Sequence, residues 1–567
     1  MVALTPPDRS ERVNSPVQLT SSPSASSDLR VAVDIRRFPW VRRLAADYAY
    51  DFGRLAPFFA GNPAGAGAWA DAIARTQAYP RDRRRVADIL RAQQDRRGAA
   101  AEARAAAARI ASPGAVAVVT GQQAGLFGGP LFTLLKALTA VSIAERVTRE
   151  HGVPAVPIFW VESEDHDWQE VSTCTVLDQD LHRRTIALGT PPGAGEGPVS
   201  SVRLDPSVIA AIDGLRETLP PTEFTAATLD ALAQAYHPGA GMSDAFARWL
   251  ESLLGRFGLV VYDSSEREAK ALVGAVFTRE LEQPRTTTML ATERGRALVE
   301  LGYHAQVVPH PDNVALFKLD GIRQTVHYRQ GAFVVGDTTV PESDLVEESR
   351  EHPDRFSPNV LLRPIVQDTL FPTCCYVAGP NELAYLAQLQ PIYAHFGVPQ
   401  PLFVPRASLT LLDSAAAKFL AKYQVALETL HADSEAALNH LLEHQLPKSV
   451  EVAFEEVSRA VDAGMTRLVE AVPAIDPTLS GAAHGALGRM QHDLATLHDK
   501  IIHAAKRRDD TLRRQFARVR AQAFPDSHPQ ERAVGFVYFL NRYGPALIDR
   551  LHDDVPLDMG THWVLTL

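Results

Sequence analysis

Five short apolar runs constrain the fold of this chain more than any other feature. Each run is continuously apolar, is followed by a polar loop, and precedes a stretch with helical periodicity. Continuous apolarity is typical of strands buried on both faces of a parallel sheet, whereas half-exposed strands alternate. The runs occupy residues 115–120, 156–161, 259–263, 373–378 and 402–404. They predict an α/β fold with a doubly wound parallel sheet.

The composition changes along the chain and divides it into parts. Charged, Leu- and Ala-rich stretches with apolar residues three and four apart predict coiled-coil helices after the last run. The first thirty residues lack the charged start and apolar core of a signal peptide. The predicted boundaries are 1–30 for a flexible N-terminal tail, 31–413 for the core, 172–256 and 301–345 for two insertions into it, 414–524 for an α-helical arm, and 525–567 for a segment that returns to the core.

Turn pairs and helical apolar stripes predict the internal structure of the second insertion and of the arm. Asp320-Gly321 and Gln330-Gly331 separate alternating segments in the second insertion, which predicts a small antiparallel meander. In the arm, three helical stretches break near Pro447 and within 473–481. Their apolar stripes fit either a homodimeric coiled coil or a hairpin within one chain.

Composition also excludes several classes of protein and partner. The formal net charge of −10 gives no global electrostatic reason to bind nucleic acid or an anionic membrane. No apolar run approaches the roughly 20 residues that span a bilayer. Three cysteines cannot form a disulfide framework, which favours a reducing, cytoplasmic compartment. No CxxC or HExxH spacing accompanies them, so no metal is inferred.

Polar side chains follow the strands, where parallel sheets bind ligands. After the first run come Gly121, Gln122, Gln123 and Gly125. Glycine permits close backbone approach, and the two amides can surround a polar ligand. The same residues also fit a plain strand-to-helix turn. They match neither the dinucleotide nor the P-loop fingerprint.

An acidic loop follows the second run. Glu162, Glu164, Asp165 and Asp167 crowd like charges around His166 at one strand end, and such crowding raises carboxyl pKa values. We therefore predict a general base or an amine-binding site there. Two alternatives stay open: a solvated loop in which His166 caps a helix, and a metal site built from Asp165, His166 and Asp167.

Two arginines are candidates for binding a carboxylate or phosphate, namely Arg363 before the fourth run and Arg406 after the fifth. Either could instead form a structural ion pair. The fourth run is followed by further predicted substrate-binding residues, which are Gly379, Asn381, Glu382 and Tyr385. Together the strand ends predict a polar site for a small, multiply charged molecule.

Four separated blocks carry a resemblance to a known family. They are VVTGQQAGLFGGPLFTLLKA, PIFWVESEDHDWQEV, REHPDRFSPNVLLRPIVQDTLFPTCCYVAGPNELAYLAQL and QERAVGFVYFLNRYGP. In this order they resemble the BshC family, the cysteine ligases of bacillithiol biosynthesis, from about residue 38 to residue 567. The resemblance implies a Rossmann-like core with connecting-peptide insertions and a coiled coil that dimerises.

The resemblance also implies an activity, a nucleotide and a set of site residues. The activity joins the carboxyl group of cysteine to the amine of glucosaminyl-malate, the last step toward bacillithiol, with ATP or ADP as the implied nucleotide. The blocks place around the core cavity Gly121, Gln122, Gln123, Gly125, Glu164, Asp165, His166, Asp167, Arg363, Gly379, Pro380, Glu382 and Arg406. Two positions depart from the family pattern, Ser163 and Asn381, where glycine is usual.

These residues yield a mechanistic hypothesis and three rival functions. In the hypothesis, Arg363 or Arg406 binds an anionic group, Glu164 or Asp165 orients the ammonium, and His166 takes a proton from the attacking amine. The rivals are a ligase for another aminosugar acceptor, a non-catalytic coiled-coil scaffold, and a hydrolase that uses the carboxylates of the acidic loop.

Overall fold

A computed structural model describes residues 30–432, 434–443, 448–508 and 510–567. Almost all of the predicted tail at 1–30, and the predicted break near Pro447, lie outside the described residues. Fifteen strands occur in the described part of the chain: β1 (Arg30–Asp34), β2 (Val116–Gln123), β3 (Ala155–Glu162), β4 (Thr173–Leu177), β5 (Arg183–Ala187), β6 (Val260–Asp263), β7 (Asn313–Asp320), β8 (Ile322–Arg329), β9 (Ala332–Val335), β10 (Thr338–Val340), β11 (Phe356–Pro358), β12 (Thr373–Ala378), β13 (Leu402–Pro405), β14 (Ser408–Leu412) and β15 (Thr561–Thr566).

The helices of the same residues begin and end as follows: α1 (Arg43–Tyr50), α2 (Ala68–Ala78), α3 (Arg83–Arg97), α4 (Ala101–Arg109), α5 (Leu131–His151), α6 (Trp168–Val171), α7 (Ser207–Thr218), α8 (Thr225–Ala235), α9 (Met242–Leu254), α10 (Arg267–Glu282), α11 (Thr286–Glu300), α12 (Glu342–Glu351), α13 (Arg363–Leu370), α14 (Glu382–Leu386), α15 (Gln390–Phe396), α16 (Ser414–Tyr423), α17 (Thr429–Ala432), α18 (Ser434–Glu443), α19 (Lys448–Ala471), α20 (Leu479–Arg508), α21 (Asp510–Ala523), α22 (Gln530–Ala533), α23 (Phe536–Tyr543) and α24 (Ala546–Asp554).

The five apolar runs form one parallel sheet in the order β13-β12-β2-β3-β6. Every residue of β12 and the first six of β2 are buried, as continuous apolarity predicts. The prediction of a doubly wound α/β core is thus confirmed. The chain runs outward from β2 through β3 to β6, and then returns to the other side of β2 for β12 and β13. This reversal puts a topological switch point between β2 and β12, where such folds bind ligands.

Local sequence signals explain where individual helices begin and end. The side chain of Asp82 accepts a hydrogen bond from the backbone N–H of Arg85 and caps the start of α3. Gly98 ends the same helix with a positive φ of 74°. The long helix α5 packs on β2 and β3, and 13 of its 21 residues are buried. It carries Lys136, a charged residue that is only 1% exposed.

Two small antiparallel structures interrupt the core. The second insertion contains the predicted meander, as β7 to β10, and β11 adds a fifth strand beside β7. The first insertion was predicted to consist of a linker and helices. It begins instead with the hairpin β4–β5, whose pairing was not predicted, and continues with α7 to α9.

A separate three-stranded sheet joins the two ends of the described chain. Its order is β1-β15-β14, with β15 antiparallel to β1 and parallel to β14. Strand β1 precedes helices α1 to α4 and was not predicted. Helix α22 packs on α5, so the C-terminal segment lies against the core.

The described residues of the predicted arm are mainly helical, as α16 to α21. The first predicted stretch is divided because Gln424 ends α16 with a positive φ of 53°. Helices α19 and α20 form an antiparallel hairpin within one chain, in which Gln491 donates to Asp462 at 2.9 Å. Among the described residues, no helix is long and apolar enough to span a bilayer.

Candidate active site

A cavity of about 160 Å³ opens at the switch point between β2 and β12. Residues from three strands and two adjoining helices line it: Gly121, Gln122, Gln123, Trp160, Glu162, Arg363, Tyr376, Glu382 and Tyr385. Six of these were predicted substrate-binding residues, so the structure brings the Gly121 loop, Arg363 and the β12 loop together.

Gly121 lies where the backbones of β2 and β3 approach closely. A Cβ atom at this position would lie only 3.0 Å from the carbonyl oxygen of Trp160. Glycine therefore lets the end of β2 pair with β3 and present its backbone and the next two amides to the cavity.

A buried lysine forms hydrogen bonds at both of the strand ends that flank the switch point. The Nζ atom of Lys136 donates to the carbonyl of Gly121 at 2.8 Å and to Oε1 of Glu382 at 2.7 Å. The second oxygen of Glu382 accepts from the backbone N–H of Gly379 at 2.8 Å. Burial lowers the pKa of Lys136, and the charge of Glu382 opposes that shift. This network keeps the β2 and β12 ends in fixed register.

Arg363 is the cation that lines the cavity, and it begins α13. Its guanidinium donates to Gln367 Oε1 at 2.9 Å and to the hydroxyl of Tyr385 at 3.3 Å, and its Cζ lies 5.5 Å from the centroid of the Tyr376 ring. Within the described ranges, no carboxylate lies within 4.0 Å of it. It therefore keeps a positive charge for an anionic ligand.

Glu162, the last residue of β3, supplies a carboxylate to the same cavity. One of its oxygens accepts from the indole N–H of Trp160 at 3.1 Å. Burial raises its pKa, although the charge of Arg363 opposes the shift. A carboxylate with a raised pKa can accept a proton from an amine.

The acidic loop is only partly oriented toward this cavity. Asp165 accepts hydrogen bonds from Gln123 at 2.8 Å and from Arg323 of β8 at 3.1 Å. Burial opposes ionisation, but these two contacts hold the pKa of Asp165 below its usual range. The Nδ1 atom of His166 lies 3.5 Å from both Asp165 and Arg323, and its side chain is 47% exposed. Neither His166 nor Asp165 lines the core cavity.

Two predicted catalytic residues have structural partners instead. Glu164 is buried and paired with Lys270 at 2.7 Å, and Lys270 also donates to the carbonyl of Phe356 at 2.8 Å. Asp167 accepts from the backbone N–H of Glu170 at 3.1 Å and caps α6. In this position Asp167, and not His166, is the helix cap. The structure therefore gives both carboxylates a local role away from the cavity.

Arg406 likewise forms a structural ion pair. Its two terminal nitrogens contact Glu531 at 2.9 and 2.7 Å, and both side chains are buried. Although burial opposes it, the charge of Arg406 lowers the pKa of Glu531. The guanidinium is thus paired with Glu531 of α22, and Arg406 also lines a second cavity. Gly125, another predicted substrate-binding residue, lies away from the core cavity, where its carbonyl accepts from Tyr236 at 3.3 Å.

A second cavity, of about 240 Å³, lies between the core and the C-terminal segment. The β12 loop separates the two cavities, because Glu382 lines the first while Pro380 and Asn381 line the second. Arg42 and Arg532 also line the second cavity, and in the described part of the chain neither lies within 4.0 Å of a carboxylate.

Two lining residues, Trp160 and Tyr376, were absent from the predicted site, and so was Lys136, which does not line the cavity but bonds to Gly121 and Glu382. Glu162 was predicted only as the first carboxylate of the acidic loop, and its position at the end of β3 was the signal for it. Lys136 interrupts an apolar helical run, and an ionisable residue there is rarely buried without a partner.

Comparison with known proteins identifies relatives along nearly the whole chain. The family description "Bacillithiol biosynthesis BshC, N-terminal Rossmann-like domain" matches residues 32–407, and "Bacillithiol biosynthesis BshC, C-terminal coiled-coil domain" matches residues 409–567. A protein of Salinibacter ruber named "Putative cysteine ligase BshC" is 35% identical over 92% of this chain and 96% of its own length. Proteins of the same name from Koribacter versatilis and Chlorobaculum tepidum are each 33% identical, over 92% and 78% of this chain and 97% and 81% of their own lengths.

Proposed function

This chain belongs to the BshC family, and from that premise we propose that it is a cysteine ligase of bacillithiol biosynthesis. It joins the carboxyl group of L-cysteine to the amine of glucosaminyl-malate through an amide bond. The observation that carries the proposal is the switch-point cavity, which Arg363 and Glu162 line together. A non-catalytic scaffold has no need for a half-buried cation without an ion-pair partner in a cavity.

The cavity offers complementary groups to both substrates. Arg363 binds a carboxylate of the malyl group, because a guanidinium presents paired donors to a planar anion. Glu162 orients the substrate ammonium and takes the proton that the amine must lose before it attacks. Gln122 and the backbone of Gly121 contribute neutral hydrogen-bonding groups beside them.

ATP, with ADP as its product, is the nucleotide of this proposal. Bound nucleotide supplies activation of the cysteine carboxyl group, because condensation of a free carboxylate with an amine is uphill in water. Both cavities are smaller than the roughly 300–1,000 Å³ typical of ligand pockets, and the second, of about 240 Å³, is larger than the core cavity of about 160 Å³. Arg42, Arg532 and the ring of Trp40 in the second cavity fit a diphosphate and a base.

Nucleotide binding is tested by calorimetry with ADP on two variants. Arg532→Ala weakens ADP binding if the second cavity holds the diphosphate, whereas Arg363→Ala weakens it if the core cavity does. Unchanged ADP affinity in both variants contradicts a diphosphate site in either cavity. Absence of ADP binding to the wild-type protein contradicts the nucleotide itself.

A homodimer formed through the arm is also part of the proposal. The apolar stripes of α19 and α20 stay half-exposed in one chain: Val457, Leu468, Met490 and Leu497 are each 46–51% exposed. A second copy packing on these helices would bury them. We place the enzyme in the cytoplasm, because Cys174, Cys374 and Cys375 are buried without disulfides, as in a reducing compartment; cell fractionation tests this location.

The function is tested first in cells and then with purified protein. Mass spectrometry of small thiols, with and without the protein, should show loss of the cysteinyl product and accumulation of glucosaminyl-malate. Purified enzyme should form the same amide from cysteine, glucosaminyl-malate and ATP. If the thiol pool and the precursor are both unchanged, the substrate assignment is wrong and a different aminosugar acceptor becomes the leading alternative.

A further inference from the structure

Arg363 is supported by a chain of buried polar side chains that extends away from the cavity. Its Nη1 donates to Gln367 Oε1 at 2.9 Å, and Gln367 Nε2 donates to Asp368 Oδ1 at 2.8 Å. The other oxygen of Asp368 accepts from the hydroxyl of Tyr393 on α15. Gln367, Asp368 and Tyr393 are at most 2% exposed.

In this series of hydrogen bonds, the donor and acceptor of each bond are determined by the next side chain in the series. An amide can present either its oxygen or its nitrogen to a neighbour, and only the oxygen can accept from a guanidinium. Asp368, when ionised, is an acceptor only and therefore selects the nitrogen of Gln367. Gln367 must then present its oxygen to Arg363. Tyr393 holds the carboxylate in place from a second helix.

The position of these hydrogen-bonded side chains also distinguishes them from ordinary hydrogen bonding in a protein core. Gln367 and Asp368 lie on α13, one turn beyond Arg363 at its first residue. Neither lines the cavity, so neither can touch a ligand there. What they can determine is the orientation of the one cation that does.

We infer that Gln367, Asp368 and Tyr393 are positioning residues that hold the Arg363 guanidinium in the orientation that binds the substrate carboxylate. This inference rests on the proposed function, in which Arg363 is the anion-binding residue. Preorganisation of this kind stabilises the bound anion because the cation need not be ordered during binding.

The inference is tested with malate as the probe, by calorimetry, together with steady-state kinetics of the full-length enzyme. Gln367→Leu removes the acceptor and should weaken malate binding about tenfold, with a comparable rise in KM for the aminosugar and a smaller change in kcat. Asp368→Asn keeps an oxygen that can accept from Gln367 and should stay near the wild-type affinity. Asp368→Ala should behave like Gln367→Leu.

Two matched controls separate positioning from general damage to the core. Gln388 is a fully buried glutamine that bonds to Val307 and Ala291 without contacting Arg363, so Gln388→Leu should leave malate affinity unchanged. Tyr393→Phe is a mild test in case Gln367→Leu does not fold. Its control is Tyr48→Phe, which removes a buried hydroxyl that donates to the carbonyl of Phe403.

The outcomes distinguish this inference from the proposed function. If Arg363→Ala does not weaken malate binding, the anion-binding role itself is wrong. If Arg363→Ala weakens binding while folded Gln367→Leu and Tyr393→Phe do not, the positioning inference is wrong and the proposed function stands. Equal losses in Gln388→Leu and Gln367→Leu would also overturn it, because a remote core defect would then suffice.

Discussion

Buried charged side chains in this protein differ in whether a residue of opposite charge neutralises them. Glu164 and Arg406 were predicted to meet substrate, yet Lys270 and Glu531 pair with them. Arg363 has no such partner in the described residues and lines the cavity beside Glu162. Arg363 is half-buried, and a half-buried charge without an ion-pair partner favours a cavity ligand of opposite charge.

The identity of the proton acceptor can be decided by comparing two substitutions. Glu162→Gln should lower kcat by about 10²–10⁴-fold with little change in KM, because it removes the base and keeps the shape of the side chain. His166→Ala should leave kcat near the wild-type value, since His166 does not line the cavity. The opposite pattern in single-turnover rates would restore the original hypothesis that His166 is the base.

A second buried carboxyl group should make the stability of the protein depend on pH. Burial raises the pKa of Glu280 to about 7, where it accepts from the backbone of Ala315 at 2.8 Å and contacts Thr287. Because the folded-state pKa lies above the unfolded value of about 4.5, the folded state binds the proton more tightly. The free energy of unfolding should therefore fall as the pH rises from about 4.5 to 7.

Glu280→Gln tests this dependence because glutamine is nearly isosteric and does not ionise. The variant should gain stability relative to the wild type across this pH range, reaching on the order of 3 kcal/mol above pH 7. Urea unfolding at several pH values gives the difference directly. Parallel stability curves for the two proteins would show that Glu280 does not titrate in this range.

At the scale of elements, the turn between β2 and α5 depends on a glycine with a positive φ. Gly128 has a φ of 93°, and a Cβ there would lie 2.1 Å from the ring of Phe536 in α23. This close approach allows the C-terminal segment to pack against the loop that leads from the cavity into α5.

Gly128→Ala should destabilise the protein by about 3 kcal/mol or more, because it combines backbone strain with a clash. Gly152→Ala is the matched control, since Gly152 also has a positive φ, 64°, but has no atom within 4 Å of its Cβ position. The control should cost about 1 kcal/mol. Equal losses in denaturant unfolding would mean that the contact with α23 contributes nothing.

At the scale of the whole molecule, the arm is the part whose packing one chain leaves incomplete. Val457 and Leu468 lie eleven residues apart on α19, and Met490 and Leu497 lie seven apart on α20, so each pair shares a helix face. All four side chains are about half exposed. The proposed dimer explains why these stripes stay apolar.

The double variant Leu468→Glu/Leu497→Glu should dissociate the dimer without unfolding the core. Light scattering should then give the mass of one 61.8 kDa chain instead of twice that mass. Val308→Glu, at an 80% exposed apolar residue outside the arm, should leave the mass unchanged. A wild-type mass of one chain would contradict the dimer.

The five core strands and the arm could be predicted because their signals are local. Continuous apolar runs and helical stripes lie within short segments, and each element forms wherever its own pattern permits. The loops after β2 and β12 were likewise predictable, since parallel strand ends meet at one edge of the sheet. The strands β1, β14 and β15, which form a separate sheet, were not predicted.

By itself, therefore, the sequence determined the parallel core, the helical arm, the family and six of the nine residues that line the cavity. Only the tertiary structure decided which ionisable groups line the cavity and which pair with an opposite charge. Glu164 and Arg406 are indistinguishable in sequence from Arg363 as charged residues near strand ends, and their partners lie 106 and 125 residues away along the chain. Whether a charge is neutralised depends on such distant neighbours, and no local pattern encodes that distance.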